Sequence, residues 1–411
     1  MIRILRSRDR RQLAALLRRR IQKLDCALAV VGPIVESVRR HGDRALVRHA
    51  RRLDGLRGPS VRVSPTDAGV PADFRRAFEL ASGHIWEYCR MQMPRSWSKQ
   101  VRQGIRLGQI VRPLDSVAAY IPGGRYPLPS TLMMTVIPAQ VAGVKTISAA
   151  SPAPGPLMLG TAAMLGVKNF FHMGGAQAIA AFAFGTETVP RANRLVGPGN
   201  IYVAAAKRLL AGEVGIDFIA GPTEIVIVAP EGNPAWLAAD MLAQAEHDPE
   251  ATAVLLAPSA RLARQVALEL ERQLATLPTR AVARRSLAAN GAIVVTRSLD
   301  EALEIANRFA PEHLVVPDAS CLDKVSSAGS VFVGPWSPEA AGDYASGPNH
   351  VLPTGGAVAL RGGLSVCDYL KVISVQQINR RGLAYLAPAI TTLARAEGLE
   401  AHARSIEVRL P

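Results

Sequence analysis

From about residue 113 onward the chain alternates short apolar runs with helical stretches, and this alternation constrains the fold more than any other feature. Strands that keep alternating with helices lie parallel in one sheet, so the pattern predicts an α/β architecture. Strands are expected at 116–121, 146–150, 169–172 and 194–196, with helices at 130–142, 157–165, 176–184 and 201–210. A second series places strands at 224–229, 252–256, 292–295, 314–316 and 330–333, with helices at 234–247, 260–277 and 299–309. Two such series without a residue-level repeat predict two stacked or twinned α/β units. The first hundred residues read as mostly helical, and a helical tail runs from Gly382 to Ala403. A tail of that kind has little core of its own, so its apolar face must dock on this chain or on a partner.

With 411 residues, 49% of them apolar, the chain can bury the core of two or three domains. Its longest apolar stretches, such as 132–144, are interrupted well before the roughly 18–20 residues of a membrane span, which argues for a soluble protein. The start carries Arg3, Arg6, Arg8, Arg10, Arg11, Arg18, Arg19 and Arg20, a density found in transit peptides. Asp9 and Asp25 interrupt it, however, and Leu13, Leu16, Leu17, Ile21 and Leu24 fall at helical spacing, so an ordinary helix is expected. Cys26, Cys89, Cys321 and Cys367 stand far apart, which suggests neither a thiolate zinc site nor a disulfide framework and fits a reducing cytoplasm. The net charge of +15 is spread along the chain and aromatic residues make up only 5%, so no nucleic-acid partner is expected. An anionic dinucleotide would profit from the same positive field.

Three glycine-rich turns each follow a strand and open a helix: Gly123-Gly124, Gly174-Gly175 and Gly197-Pro198-Gly199-Asn200. Any one of them is satisfied by a tight turn, but three in succession point to one ligand-binding sheet edge whose amides can approach phosphate. Gln244 and His247 stand three apart at a helix end, which by itself reads either as a capped end with a solvated histidine or as an oxygen and an imidazole able to share a metal ion. Asp343 and His402 supply further donors, and an oxygen- and nitrogen-rich set of this kind suits zinc. Pro311-Glu312-His313-Leu314 reads as a loop at a sheet edge carrying two bases of different strength. His41, His49, His84 and His172 read as structural or surface residues.

In order, the segments Tyr120-Ile121-Pro122-Gly123-Gly124, Gly174-Gly175-Ala176-Gln177-Ala178, Gly197-Pro198-Gly199-Asn200, Gln244-Ala245-Glu246-His247, Pro311-Glu312-His313-Leu314 and Ala341-Gly342-Asp343-Tyr344 through Asn349-His350-Val351-Leu352-Pro353 resemble the histidinol dehydrogenase family. The resemblance covers nearly the whole chain from about residue 30. It implies two incomplete Rossmann-like α/β domains with a helical N-terminal region and a C-terminal arm, in an intertwined homodimer. The corresponding division is 1–119, 120–224 on the NAD side, 225–364 with the metal and catalytic motifs, and 365–411 as the arm reaching the partner subunit.

The resemblance further implies an NAD-dependent, zinc-containing enzyme that oxidises L-histidinol through L-histidinal to L-histidine, the last step of histidine biosynthesis. Tyr120, Gln177 and Asn200 correspond to the family's NAD contacts. Gln244, His247, Asp343 and His402 correspond to the ligands of one Zn²⁺ per subunit. Thr223, Gln244, His247, His313, Asp343, Glu397 and His402 correspond to the substrate contacts, with Glu312 and His313 as catalytic bases. Thr223 stands where serine is usual, which keeps the hydroxyl, and Arg125, Tyr126 and Pro129 depart from the pattern at the rim of the NAD site. A sister dehydrogenase acting on a sulfonated diol shares the fold, but the Pro-Glu-His-Leu and Ala-Gly-Asp-Tyr segments with Glu397 and His402 follow the histidinol pattern. The rival of another class is a noncatalytic basic scaffold binding nucleic acid.

Overall fold

A computed structural model describes residues 2–17, 24–123 and 126–410. The basic residues Arg18, Arg19 and Arg20, the helix position Ile21, and Gly124 and Arg125 of the first glycine turn lie outside the described residues. The chain opens with β1 (Arg3–Arg6), α1 (Arg10–Leu17), α2 (Leu24–Leu53), β2 (Arg62–Val63), α3 (Ala72–Met91), β3 (Trp97–Arg102) and β4 (Ile105–Pro113). The first α/β unit follows as β5 (Ser116–Tyr120), α4 (Pro129–Ala142), β6 (Thr146–Ser151), α5 (Pro156–Met164), β7 (Asn169–His172), α6 (Gly175–Phe184), β8 (Arg194–Val196), α7 (Ile201–Leu210) and β9 (Gly215–Ile216). The second comprises β10 (Glu224–Val228), α8 (Pro234–Ala245), β11 (Thr252–Ala257), α9 (Ala260–Leu274), α10 (Arg280–Asn290), β12 (Ala292–Val295), α11 (Leu299–Phe309), β13 (His313–Val316), β14 (Ser330–Val333) and α12 (Glu339–Tyr344). Strand β15 (Leu370–Ile378) and helices α13 (Arg380–Ala396) and α14 (Glu400–Glu407) end the chain.

The expected α/β elements are all present, and most of their boundaries agree within a residue or two. Exceptions are instructive. His247 lies just past α8, which stops at Ala245, and the helix expected to run to residue 277 ends at Leu274, with α10 following it. The residues before 120 divide between the two units: β1 pairs in parallel with β12 of the second sheet, whereas β2 pairs with β7 of the first.

Each unit is a three-layer sandwich. The first sheet has the order β2-β7-β6-β5-β8-β9, and the second β1-β12-β11-β10-β13-β14. Setting aside the edge strands β2 and β1, both follow the doubly wound order 3-2-1-4-5, with all neighbours parallel. Parallel sheets need both faces covered, which is why their strands are nearly continuous apolar runs. Helices α2, α6 and α7 bury Val31, Leu46, Phe182 and Val203 on one face of the first sheet, and α3, α4 and α5 bury Ile85, Met134 and Met158 on the other. The second sheet is clothed by α8, α9 and α10 on one face and by α1 and α11 on the other. A third, antiparallel sheet, β15-β4-β3, carries the arm.

A buried ion pair ties α7 to the ends of β8 and β9. Lys207 Nζ on α7 lies 2.7 Å from Asp217 Oδ1 and donates to the Gly197 carbonyl at 2.6 Å, while Asp217 Oδ2 accepts from the Gly197 amide at 2.7 Å. Both side chains are almost fully buried. Removing one partner strands the other charge in the interior, so Lys207→Met should lower the unfolding free energy by about 3–5 kcal/mol, read from guanidinium denaturation. A loss below about 1 kcal/mol would mean that water reaches Asp217.

Candidate active site

The site lies where the C-terminal edge of the first sheet faces the N-terminal edge of the second. Two pockets meet there and share Pro122. One, of about 470 Å³, is lined by Tyr120, Gly123, Gln177, Asn200 and Tyr202 together with Arg52 and Asp54. The other, of about 240 Å³, is lined by Thr223, His247, Glu312, His313, Asp343 and His350.

In the larger pocket the three expected cofactor residues come together, but the glycine turns behave differently from expectation. The Gly174 amide donates to Asp54 Oδ2 at 3.0 Å, the Gly175 amide to the Tyr120 hydroxyl at 3.2 Å, and the Gly197 amide to Asp217. These amides therefore serve internal acceptors where phosphate was expected, a correction that sequence could not supply because Asp54 and Asp217 arrive from other elements. Gly197 itself is demanded by sterics: with φ at 108°, a Cβ would sit 2.1 Å from the Tyr120 carbonyl oxygen. Gln177 Nε2 donates to Asp54 at 2.9 Å, which leaves its oxygen free to accept. Asn200 Oδ1 caps α7 by accepting from the Tyr202 and Val203 amides, which leaves its nitrogen free to donate. An acceptor, a donor and a phenol around one cavity, with Arg52 among the lining residues, suit the sugar and phosphate portions of a dinucleotide.

The second pocket is built on parallel register. Because β10 and β13 pair with Ile225 opposite His313, Thr223 and Glu312, each just before its strand, are brought side by side. Ala310 is the positive-φ non-glycine residue among those described, at 52°, and its left-handed turn ends α11 and swings the chain into β13. Glu312 lies in the expected connection between α11 and β13, whereas His313 is the first residue of the strand, and both are buried.

Thr223 Oγ1 lies 2.5 Å from Glu312 Oε2 and 2.6 Å from the Gln244 amide. The amide is satisfied with its oxygen toward Thr223 and its nitrogen donating to the Glu339 carboxylate. A hydroxyl has one proton, so Thr223 can donate to Gln244 while accepting from Glu312 only when Glu312 is in its acid form. The electrostatics agree: burial pushes the Glu312 carboxyl well above the usual range, against the pull of the Thr223 hydroxyl and the Glu224 amide. Burial acts oppositely on His313, whose pKa falls to about 4, so the ring is neutral near pH 7. Its Nδ1 lies 3.2 Å from Glu339 Oε1 and 3.2 Å from the Glu224 carbonyl oxygen. A proton on Nδ1 satisfies those acceptors and leaves the lone pair on Nε2, a buried atom without a hydrogen-bond partner.

Asp343 stands at the centre of the donor atoms. Its carboxylate lies 3.8 Å from His247 Nε2 and 3.8 Å from His313 Nε2. Gly342 permits the approach, since a Cβ there would meet the Phe332 ring at 2.6 Å. Among the described residues, ligand atoms of His313, Glu339 and Asp343 also lie within 4.8 Å of one another. Glu339 is nevertheless turned toward His313 and Gln244 and almost wholly buried, whereas His247 and Asp343 line the pocket. Sequence reasoning missed Glu339 and also His350, whose Nδ1 lies 2.6 Å from the Asp343 carbonyl oxygen. Glu339 was one acidic residue among 33, with no motif to mark it.

Gln244, His247, Asp343, Thr223, Glu312 and His313 are therefore brought together. Glu397 and His402 are not: both are exposed on the arm, where α13 and α14 pack on each other. His84 and His172 bond to backbone carbonyls, and His49 lies near Ser37 away from the site.

A family model described as histidinol dehydrogenase matches residues 17–410. The chain belongs to the histidinol dehydrogenase family. It is 46% identical over 396 residues to the histidinol dehydrogenase of Halalkalibacterium halodurans, covering 92% of this chain and 93% of that one. It is 43% identical over 417 residues to that of Methanothermobacter thermautotrophicus, covering 98% of both. The crystal structure of histidinol dehydrogenase from Elizabethkingia anophelis superposes with a TM-score of 0.94 at 34% identity, covering 99% of this chain and 98% of that chain. Membership in the histidinol dehydrogenase family makes the chain an oxidoreductase.

Proposed function

We propose that the chain oxidises L-histidinol through L-histidinal to L-histidine with NAD, the closing step of histidine biosynthesis, at the pocket of Glu312 and His313. What supports this most is the neutral, partnerless Nε2 of His313 aimed into a pocket that adjoins the cavity of Tyr120, Gln177 and Asn200. The donor set suits zinc, with Gln244, His247 and Asp343 from one chain and the partner's His402 completing four ligands. When bound, the zinc ion would orient the substrate, and NAD would accept hydride. Thr223 and the partner's Glu397 would add substrate contacts.

The chain's own steps follow from the geometry. His313 Nε2 takes the proton from the substrate hydroxyl while Glu339 and the Glu224 carbonyl hold the Nδ1 proton in place. Glu312, which burial makes a stronger base once its own proton has left, takes in its ionised form a proton from the water that adds to the aldehyde. His313 acts again on the hydrate. The NAD side would be residues 120–224, and the metal and catalytic side 225–364.

The arm of residues 365–411 would reach a second copy of the chain. Val372, Ile373, Val375 and Ile378 of β15 and Tyr385 and Leu393 of α13 are exposed apolar residues, a patch that a homodimer would bury. No described helix is long and apolar enough to cross a membrane. Four free cysteines suit a reducing compartment, and we place the enzyme in the cytoplasm. The deciding measurement is NADH formed per L-histidinol consumed in a limited-substrate reaction. A yield of about two marks the double oxidation; a yield of about one would overturn it.

A further inference from the structure

The two units share a strand order, so each has a crevice where connections leave the sheet in opposite directions, the preferred place for ligands in such folds. In the first unit this crevice, at the ends of β5 and β8, opens into the pocket of Tyr120 and Asn200. In the second it lies beyond the C-terminal ends of β10 and β13, at the opposite end of these strands from Glu312 and His313. It too is hollow, with a cavity of about 220 Å³ that the oxidation does not use. Strand ends of β10 and β13 form its floor, the first turns of α8 one wall, and the 334–338 segment leading into α12 the other.

Its chemistry differs from that of the first crevice. Trp236 lines it, and Trp336, carried on the 334–338 segment of its wall, lies against Trp236 with ring centroids 5.2 Å apart and planes inclined by 53°. Both are open to solvent, Trp236 at 45% and Trp336 at 83% exposure. The ionisable residues that line the cavity are Glu231 and Asp240, and no lysine, arginine or histidine joins them. Among the described residues Asp240 has neither a hydrogen bond nor an ion pair, although it is partly buried. Burial moves its carboxyl up to about 6. A nucleotide is disfavoured because Glu231 and Asp240 repel phosphate and no basic side chain lines the cavity, and one inner carboxylate is too few for a metal ion. Indole faces beside an unanswered carboxylate are what an organic cation seeks, through the ring quadrupole and through direct charge.

We propose that the crevice between β10 and β13 is a second binding site, for a small organic cation with a flat or methylated head. The cation seats its charge against Asp240 and its head on Trp236 and Trp336. The site is placed to influence catalysis, because α8 carries Gln244 at its other end and Pro338 of the cavity wall directly precedes Glu339.

Benzyltrimethylammonium, a quaternary cation that cannot ligate zinc, is the probe, with benzyl alcohol as the neutral control. Calorimetric titration of the intact enzyme saturated with L-histidinol should show saturable binding of the cation and none of the alcohol. Asp240→Asn, nearly the same shape, and Trp336→Ala, at an exposed position, should each weaken binding by about tenfold or more. Equal binding by parent and both variants would overturn the proposal. So would absence of binding in the parent, including the case in which a partner subunit covers Trp336.

Discussion

Glu312→Gln should retain oxidation of L-histidinol to the aldehyde within a few-fold while slowing oxidation of L-histidinal by about 10²–10⁴. Glutamine is nearly isosteric with the buried carboxyl, and its oxygen can still accept from the Glu224 amide, so the turn and His313 keep their places. What it cannot do is take a proton from water. The first stage needs only the His313 lone pair, and the second needs hydration of the aldehyde. Single-turnover traces started separately from alcohol and aldehyde distinguish them. Equal loss in both would show that Glu312 acts only by holding Thr223 and the start of β13. His313→Ala, by contrast, should depress both stages.

Mixing two inactive variants, His402→Ala and His313→Ala, should restore activity if the arm completes its neighbour's site. After random exchange about half the dimers are hybrids, and each hybrid holds one site with both histidines, so about a quarter of the parent activity should return. An arm that served its own chain would leave every site lacking one histidine, and the mixture would stay inactive. The exposed β15 and α13 residues, with Glu397 and His402 far from core packing, motivate the expectation. Zinc content follows the same logic: His402→Ala alone should lower it, since Gln244, His247 and Asp343 would then hold the ion with one donor fewer.

The α/β alternation was legible because hydrogen bonds within helices and between neighbouring strands impose periods of 3.6 and 2 that a linear text retains. For that reason the strands 169–172, 194–196, 292–295 and 330–333 coincide with β7, β8, β12 and β14. Strands β3, β4 and β15 were not legible: their residues are mostly exposed and mixed in character, so no apolar period marks them. Motif resemblance also grouped Gln244, His247, Glu312, His313 and Asp343, which the fold brings together, without a distance between any two of them.

By itself, then, the sequence determined the two parallel α/β units, the family and the residue types available for proton transfer and metal binding. Tertiary structure alone decided how they are arranged. Register between β10 and β13 set Thr223 beside Glu312, burial moved the Glu312 and His313 protonation equilibria in opposite directions, and α12 brought the unmarked Glu339 against the imidazole. The same packing filled two glycine turns with Asp54 and Asp217 and left Asp240, among the described residues, without a hydrogen bond or ion pair. Such outcomes depend on which distant groups share a low-dielectric space, and that is a property of three-dimensional contact that no local pattern of residues encodes.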